Sequence, residues 1–129
     1  MTKDLIVVSP GLLALIQGRD GSLLPFAREI VVLECQIAGT SYQQLDKIEP
    51  GLKKGDRYIL FRETENKYDP FAVAIYTSEK QKLGYLPRDK NESTARLLDA
   101  GKIIFGTLLS KEWNGKWLRL SIQVFLIDR

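Results

Sequence analysis

The chain has 129 residues, of which 44% are hydrophobic and 27% are charged, and its formal net charge at pH 7 is +3. This length and composition predict one folded domain rather than a disordered segment. The sequence has no histidine, which excludes Ser-His-Asp and Cys-His catalysis. Its single cysteine, Cys35, excludes zinc fingers, iron–sulfur clusters and internal disulfides, whereas a magnesium site built from carboxylates stays possible.

The N-terminal residues predict an arm ahead of the main domain. Ser9 suits a helix cap, Pro10 the first helical position and Gly18 the stop, so a short helix is expected there. We therefore divide the chain into an arm at residues 1–28 and a domain at residues 29–129. No apolar run reaches the roughly 18 residues of a membrane span, and no signal peptide is evident. We expect a cytoplasmic protein with no membrane partner.

The first part of the domain predicts several strands. Apolar residues alternate from Glu29 onward, so that one face, with Cys35 in it, points inward: Val31, Leu33, Cys35 and Ile37. A turn at Gly39-Thr40-Ser41 leads into a short helix predicted over residues 43–48, which Pro50-Gly51 ends. Further strands are predicted over residues 58–62, 72–77 and 82–86.

The C-terminal part predicts a helix and a hairpin. Asn91 can cap a helix that Gly101 stops. Asn114-Gly115 is a strong hairpin signal between strands over residues 103–110 and 117–127. In the last strand, alternation predicts these inward residues: Leu118, Leu120, Ile122, Val124 and Leu126. Five or six mostly antiparallel strands with two or three short helices predict a mainly β fold, closed as a small barrel or strongly twisted sheet.

The polar loop from Glu63 to Pro70 has a structural and a functional interpretation. In the structural one, Asn66 and Asp69 bond to backbone amides and Pro70 fixes the start of the next strand. The functional one rests on aromatic residues in or near loops with basic residues close by, which is typical of small barrels that bind single-stranded nucleic acid. The aromatic residues are Tyr42, Tyr68 and Tyr85, and the basic ones are Lys67, Arg88 and Lys90.

Three segments carry a resemblance to a known family. They are Gly39-Thr40-Ser41-Tyr42, the run from Leu60 to Ile75 that contains Asn66-Lys67-Tyr68-Asp69-Pro70-Phe71-Ala72, and Leu83-Gly84-Tyr85-Leu86-Pro87-Arg88. In this order and spacing the chain resembles the HIRAN family, from about Ile30 to Asp128. The resemblance implies a small OB-like antiparallel β-barrel that binds DNA and is not itself an enzyme.

The resemblance also implies a ligand and a site. HIRAN domains occur beside helicase-like and nuclease domains of DNA-repair proteins and as stand-alone bacterial proteins, and some grip the free 3′ end of single-stranded DNA. By position, Tyr42 and Tyr68 would stack on the terminal base and Asp69 would accept a hydrogen bond from the 3′-hydroxyl. Tyr85 and Arg88 would lie along the same strand, with Lys67 nearby. No cofactor or metal is implied.

Two positions depart from the pattern of DNA-end-binding members. Ser41 stands where these members can carry a basic residue, and Tyr85 occupies a position that can be histidine elsewhere. Both departures bear on affinity more than on fold.

Two alternative functions stay open at this stage. Trp113 and Trp117 near the hairpin turn could anchor a protein partner on the same barrel without DNA binding. Glu63, Glu65 and Asp69 supply three carboxylates for a metal-dependent nuclease.

Overall fold

Six strands form one antiparallel sheet in a computed structural model that describes residues 28–128. The helix predicted over residues 9–18, and with it almost all of the predicted arm, lies outside the described residues. The sheet order is β1-β6-β5-β2-β3-β4. The strands are β1 (Arg28–Gln36), β2 (Arg57–Arg62), β3 (Val73–Tyr76), β4 (Lys82–Tyr85), β5 (Ile103–Asn114) and β6 (Trp117–Asp128).

The sheet curls until its two edges meet. Ala38, just beyond β1, forms a β-bridge with Tyr85 at the end of β4, and the two N–O distances are 2.8 and 2.9 Å. Gly84 lies directly under this bridge with φ +153°, and a Cβ atom there would clash with the Ala38 carbonyl oxygen. The predicted mainly β, OB-like fold is confirmed, and its closure depends on a glycine.

The core fills the inside of the curled sheet. Residues from β2, β3, β4 and β6 are completely buried, among them Leu60, Ile75, Leu83, Leu120 and Ile122. The alternation predicted for the last strand holds from Leu118 to Val124. Near its end Leu126 is only partly buried, and the buried residue is Ile127.

The first strand departs from strict alternation. Val31 pairs with Phe125 and Leu33 with Val124, so β1 has one extra residue between these two pairs, a β-bulge. Val31, predicted to point inward, is therefore exposed, whereas Leu33 and Cys35 pack against the core as predicted. Burial raises the pKa of the Cys35 thiol to about 11.

The helix predicted over residues 43–48 is wrong. The chain instead forms two single 3₁₀ turns, Thr40–Tyr42 and Glu49–Gly51, on either side of an irregular stretch. Leu45 is buried in the core, and its carbonyl accepts the amides of both Ile48 and Glu49. A helix this short has little stability of its own, so the anchoring of Leu45 decides the local conformation.

The helix α1 (Glu92–Asp99) confirms the prediction between Asn91 and Gly101. Ala95 faces the core, and Gly101 ends the helix with φ +85°. Asn91 holds the cap position, but its side chain makes no capping hydrogen bond. Between residues 28 and 128, the helical segments are α1 and the two 3₁₀ turns, and none is long and apolar enough to cross a membrane.

The hairpin of β5 and β6 confirms the Asn114-Gly115 signal and extends it. Asn114 pairs with Trp117, so the two-residue turn is Gly115-Lys116 and β5 runs four residues further than predicted. Gly115 has φ +66° at the first turn position, which is the place a type II′ turn gives to glycine.

Substitution of Gly84 tests the closure of the sheet. Gly84→Ala should lower the free energy of unfolding by about 3 kcal/mol, because the added methyl group meets backbone that cannot move cheaply. Its Cβ would also lie 2.7 Å from Ile37 Cγ2. Urea denaturation measures the change.

Gly51→Ala is the matched control, because a Cβ atom there has no neighbour within 4 Å. It should leave the free energy of unfolding within about 1 kcal/mol of the original. Equal effects of the two substitutions would contradict the role given to Gly84.

Candidate nucleic-acid interface

The loop between β2 and β3, residues 63–72, is held by its own side chains. Asn66 Oδ1 accepts the backbone amides of Tyr68 at 2.8 Å and Asp69 at 3.0 Å. Asp69 Oδ1 accepts the amide of Phe71 at 2.9 Å. The structural interpretation of this loop is therefore correct, and the same bonds fix the backbone that carries Tyr68.

Arg62 holds the loop closed from the end of β2, a role that sequence analysis missed. Its guanidinium donates to the carbonyls of Glu63, Pro70 and Ala72, at 3.4, 2.7 and 3.3 Å. It also pairs with Asp99 of α1 at 3.1 Å. A fork of several N–H donors suits this task, which one ammonium group could not perform. An arginine at a strand end has no sequence signal for such contacts.

Asp69 lies in the wall of the site, with only 14% of its side chain exposed. Its Oδ2 atom accepts a hydrogen bond from Asn91 Nδ2 at 2.7 Å, and Arg88 Nε lies 3.9 Å from the same oxygen. Asn91 is itself buried. The residue that sequence analysis expected to cap the helix thus bonds to the 63–72 loop instead.

Tyr68 and Arg88 meet on the surface beside Asp69. Arg88 donates to the Tyr68 carbonyl at 2.7 Å, while 73% of its own side chain stays exposed. The Tyr68 side chain points outward, and the residue is 82% exposed. Lys67, one residue earlier, is also exposed. This part of the surface presents an aromatic ring together with two cations.

Tyr42 reaches the surface from the other edge of the closed sheet. It ends the 3₁₀ turn that begins two residues after the Ala38–Tyr85 bridge, and it is 87% exposed. The turn is anchored by Thr40, whose hydroxyl donates to the Leu118 carbonyl at 2.7 Å. The ring pairs formed among residues 28–128 are Phe61–Tyr76 and Phe105–Phe125, so Tyr42 and Tyr68 do not stack on each other.

Tyr85 is placed differently from the other two tyrosines. It is half-buried, and its hydroxyl donates to Glu63 Oε1 at 2.9 Å and accepts from Lys82 Nζ at 2.6 Å. Lys82 also lies 4.3 Å from the centre of the Tyr85 ring. Tyr85 therefore supports the base of the 63–72 loop, because Glu63 in turn accepts a hydrogen bond from Asn66 at 3.0 Å.

The Glu63, Lys82 and Tyr85 side chains shift one another's ionisation. Burial alone would raise the pKa of Glu63, but bonds from Asn66 and Tyr85 and the charge of Lys82 outweigh it, so the pKa is lowered. Burial would lower the pKa of Lys82, yet the bond to Tyr85 and the charge of Glu63 raise it. Burial and the Glu63 carboxylate raise the pKa of Tyr85. At neutral pH the three groups form an ion pair bridged by a neutral phenol.

The carboxylates named for a nuclease do not come together as a metal site. Glu63 is bound to Lys82 and Tyr85, and Asp69 is bound to Asn91 and the Phe71 amide. Glu65 is exposed. Over the described part of the chain, no group of three or more acidic or cysteine side chains is placed to hold a metal ion.

The fold thus brings together most of the residues predicted from sequence. Tyr68, Asp69 and Arg88 are joined by direct contacts, and Lys67 adjoins them. Tyr42 is linked to them through the chain, because its turn follows Ala38, which is bridged to Tyr85. Asn91 and Arg62 complete the surroundings, and neither had been singled out for this role.

The family model for the HIRAN domain matches residues 30–127. The chain belongs to the HIRAN family. HIRAN domains are DNA-binding domains, so nucleic-acid binding is the function class that the family gives to this chain. No curated protein matches the sequence.

Two solved structures share the fold. A crystal structure of a protein from Lactobacillus plantarum has a TM-score of 0.72 at 23% identity, covering 80% of this chain and 99% of that one. The crystal structure of the HIRAN domain of human HLTF has a TM-score of 0.62 at 14% identity, covering 78% of this chain and 80% of that one. Both likenesses show a common architecture.

The lowered pKa of Glu63 predicts a pH dependence of stability. A carboxylate whose pKa is depressed by folding contributes stability above its unfolded pKa, and the contribution is lost as the pH falls through the folded value. Glu63→Gln should therefore cost about 1–2 kcal/mol at pH 7, because Lys82 loses its counter-charge. The difference from the original protein should shrink as the pH falls below about 4. Urea denaturation at several pH values measures this.

Glu65→Gln serves as the control in the same loop. Glu65 is exposed and joins none of the ion pairs found among residues 28–128. Its substitution should change stability by less than about 0.5 kcal/mol at every pH. A pH-independent cost of Glu63→Gln would contradict the ion-pair role.

Proposed function

We propose that this HIRAN domain binds single-stranded DNA without catalysing a reaction, and that it recognises the free 3′-hydroxyl end. The observation that carries the proposal is the exposed ring of Tyr68 beside Arg88 and Asp69. A second exposed ring, that of Tyr42, lies on the turn that follows the Ala38–Tyr85 bridge. Tyr42 and Tyr68 are the two most exposed of the large hydrophobic side chains between residues 28 and 128.

Stacking supplies the first part of the binding energy. Each aromatic ring that stacks on a base contributes about 1–3 kcal/mol, with little preference among bases. Tyr42 and Tyr68 belong to different loops, whose positions are fixed by Thr40 on one side and Asn66 on the other. Two rings held in this way can take a terminal base that is no longer paired, which favours a single strand over a duplex.

Asp69 supplies the selection for the strand end. An ionised carboxylate only accepts hydrogen bonds and has about four lone-pair positions. The Phe71 amide and Asn91 occupy one position on each oxygen. A remaining position can accept the 3′-hydroxyl, whereas a 3′-phosphate would bring like charges together.

Arg88 and Lys67 supply the contact with phosphate. Both are exposed, and Arg88 is held in place by its bond to the Tyr68 carbonyl. With two cations the electrostatic contribution is modest and salt-dependent. Tyr85 acts from beneath, by supporting the loop. We further propose that residues 29–129 form the binding domain, and that it serves DNA repair or processing in the cytoplasm, alongside helicase or nuclease proteins.

Fluorescence anisotropy with a short single-stranded DNA tests the end selection. At low salt the domain should bind a 3′-hydroxyl oligonucleotide about fivefold or more tightly than the same oligonucleotide with a 3′-phosphate. Tyr42→Ala and Tyr68→Ala should each weaken binding by about tenfold or more, whereas the phenylalanine variants keep the ring and most of the affinity. Equal affinity for the 3′-hydroxyl and the 3′-phosphate oligonucleotide would contradict end recognition and leave only binding by a basic surface.

The salt dependence of binding tests the two cations independently of the end selection. Arg88→Gln and Lys67→Gln together should reduce the slope of log affinity against log salt by about 1.4, since each single-strand phosphate contact contributes about 0.7. Lys80→Gln is the matched control. Lys80 lies in the β3–β4 turn, at the far end of these strands from Asp69 and Arg88, so its slope should not change.

A protein-binding role is the second candidate. Trp113 and Trp117 are 43% and 38% exposed at the β5–β6 hairpin. Trp113 borders a groove of about 380 Å³ that also contacts Thr40 and Leu45. If the domain binds no DNA, a capture experiment tests this role. Capture of one protein partner that persists after nuclease treatment and is lost in Trp113→Ala would favour it.

A further inference from the structure

We propose that Asn91 is the positioning residue that gives the site its selectivity for the 3′-hydroxyl, by keeping Asp69 and Arg88 apart as two separate groups. The inference rests on the proposed function, because it names the residue that sets the selectivity of that same site. The Asn91 side chain does not make the hydrogen bond that its position predicts. Asn91 stands at the cap position of α1, where its oxygen would ordinarily accept an amide of the first turn, yet no capping bond forms.

The amide of Asn91 is committed to Asp69. Only 1% of the residue is exposed, and Nδ2 lies 2.7 Å from Asp69 Oδ2. Because a carboxylate only accepts, Asn91 must present its NH₂ group to it. A buried donor without a partner is costly, so the side chain has a strong reason to stay in place.

The second donor to Asp69 comes from within the loop. The Phe71 amide bonds to Oδ1, and Asn91 bonds to Oδ2 from a different element. One donor on each oxygen fixes the plane of the carboxylate. The remaining lone pairs then have a defined direction, which a ligand hydroxyl needs.

Arg88 is the competitor that Asn91 holds off. Its Nε lies 3.9 Å from Asp69 Oδ2, beyond hydrogen-bond distance, while its NH2 group donates to the Tyr68 carbonyl. Two other guanidinium groups lie near the loop. Arg62 is engaged with the Pro70 carbonyl and Asp99. Arg96 lies 5.1 Å from the centre of the Phe71 ring and pairs with Glu92. Without Asn91, the carboxylate can turn toward Arg88 and form a close, charge-neutralising pair. Asp69 would then lose both its direction and its repulsion of a terminal phosphate.

Binding experiments with two Asn91 variants test this selectivity. Asn91→Ala and Asn91→Leu both remove the donor, and leucine keeps the same branching and number of side-chain heavy atoms. In both variants the ratio of 3′-hydroxyl to 3′-phosphate affinity should fall by about fivefold or more. Most of the change should come from tighter binding of the 3′-phosphate oligonucleotide, since Asp69 no longer repels it. An unchanged ratio in both variants would overturn the proposal.

Ala95→Gly separates positioning from stability. Ala95 is buried on the same helix, so glycine there lowers the stability of the fold without contacting Asp69. The affinity ratio of this variant should stay as in the original protein. If Ala95→Gly lowers the affinity ratio as much as Asn91→Ala does, the effect of Asn91 comes from lost stability and the proposal is wrong.

A measurement on the protein alone separates failure of this inference from failure of the proposed function. The Arg88 Nε–H signal in ¹⁵N NMR reports on the contact with Asp69 without any DNA. In Asn91→Ala its exchange with water should slow by about fivefold or more as the Arg88–Asp69 pair closes. No slowing would overturn the role of Asn91 even if the domain selects 3′-hydroxyl ends. If the exchange slows in Asn91→Ala but the original protein binds both ends equally, Asn91 does keep Arg88 away from Asp69. The proposed end recognition is then refuted.

Discussion

The two hydrogen bonds between Ala38 and Tyr85 are the constraint on which the structure depends. They join the edges of a six-stranded sheet, and the absence of a side chain at Gly84 lets the two strands approach. Three parts of the candidate site are thereby brought to one place. The Tyr42 turn leaves the bridge on one side, and the Tyr85–Arg88 segment leaves it on the other. The 63–72 loop lies against that segment through Arg88 and Asn91.

Polar contacts, rather than apolar packing, fix the side chains of the site. Arg62 closes the loop through three carbonyls, Asn66 accepts two amides, and the Glu63–Tyr85–Lys82 group supports Asn66 from below. Such networks hold a unique geometry only when each member has its partner. The rings of Tyr42 and Tyr68 can then point into solvent without the loops collapsing over them. Under the proposed function, an exposed ring held in this way loses little conformational entropy when a base stacks on it.

The sequence predictions were correct where the interactions act over a few residues, and wrong or missing where they join distant parts of the chain. Alternation predicted β6, and the Asn114-Gly115 dipeptide predicted the final hairpin, because both signals act over a few residues. The helix expected over residues 43–48 failed because Leu45 is drawn into a core formed by distant strands. Val31 was misplaced by a bulge that pairing with β6 imposes. The residues of the candidate site were predicted through the family motifs, and their role stays a prediction. The contacts of Arg62 and Asn91 were missed, since Arg62 has partners up to 37 residues away and Asp69 lies 22 residues from Asn91 in the chain.

By itself the sequence determined the class of the fold, the family resemblance and the short polar loop with its tyrosine and aspartate. The fold class and the loop follow from periodicity, turn residues and local side-chain-to-backbone bonds, which need no knowledge of the rest of the chain. The family resemblance rests on three short motifs and their spacing. Only the tertiary structure decided that Tyr85 turns inward to Glu63, that Tyr42 and Tyr68 stay exposed, and that Asn91 gives up its helix cap to bind Asp69. The physical reason is that a buried polar group must find a partner in space, and the closed sheet determines which partner is within reach.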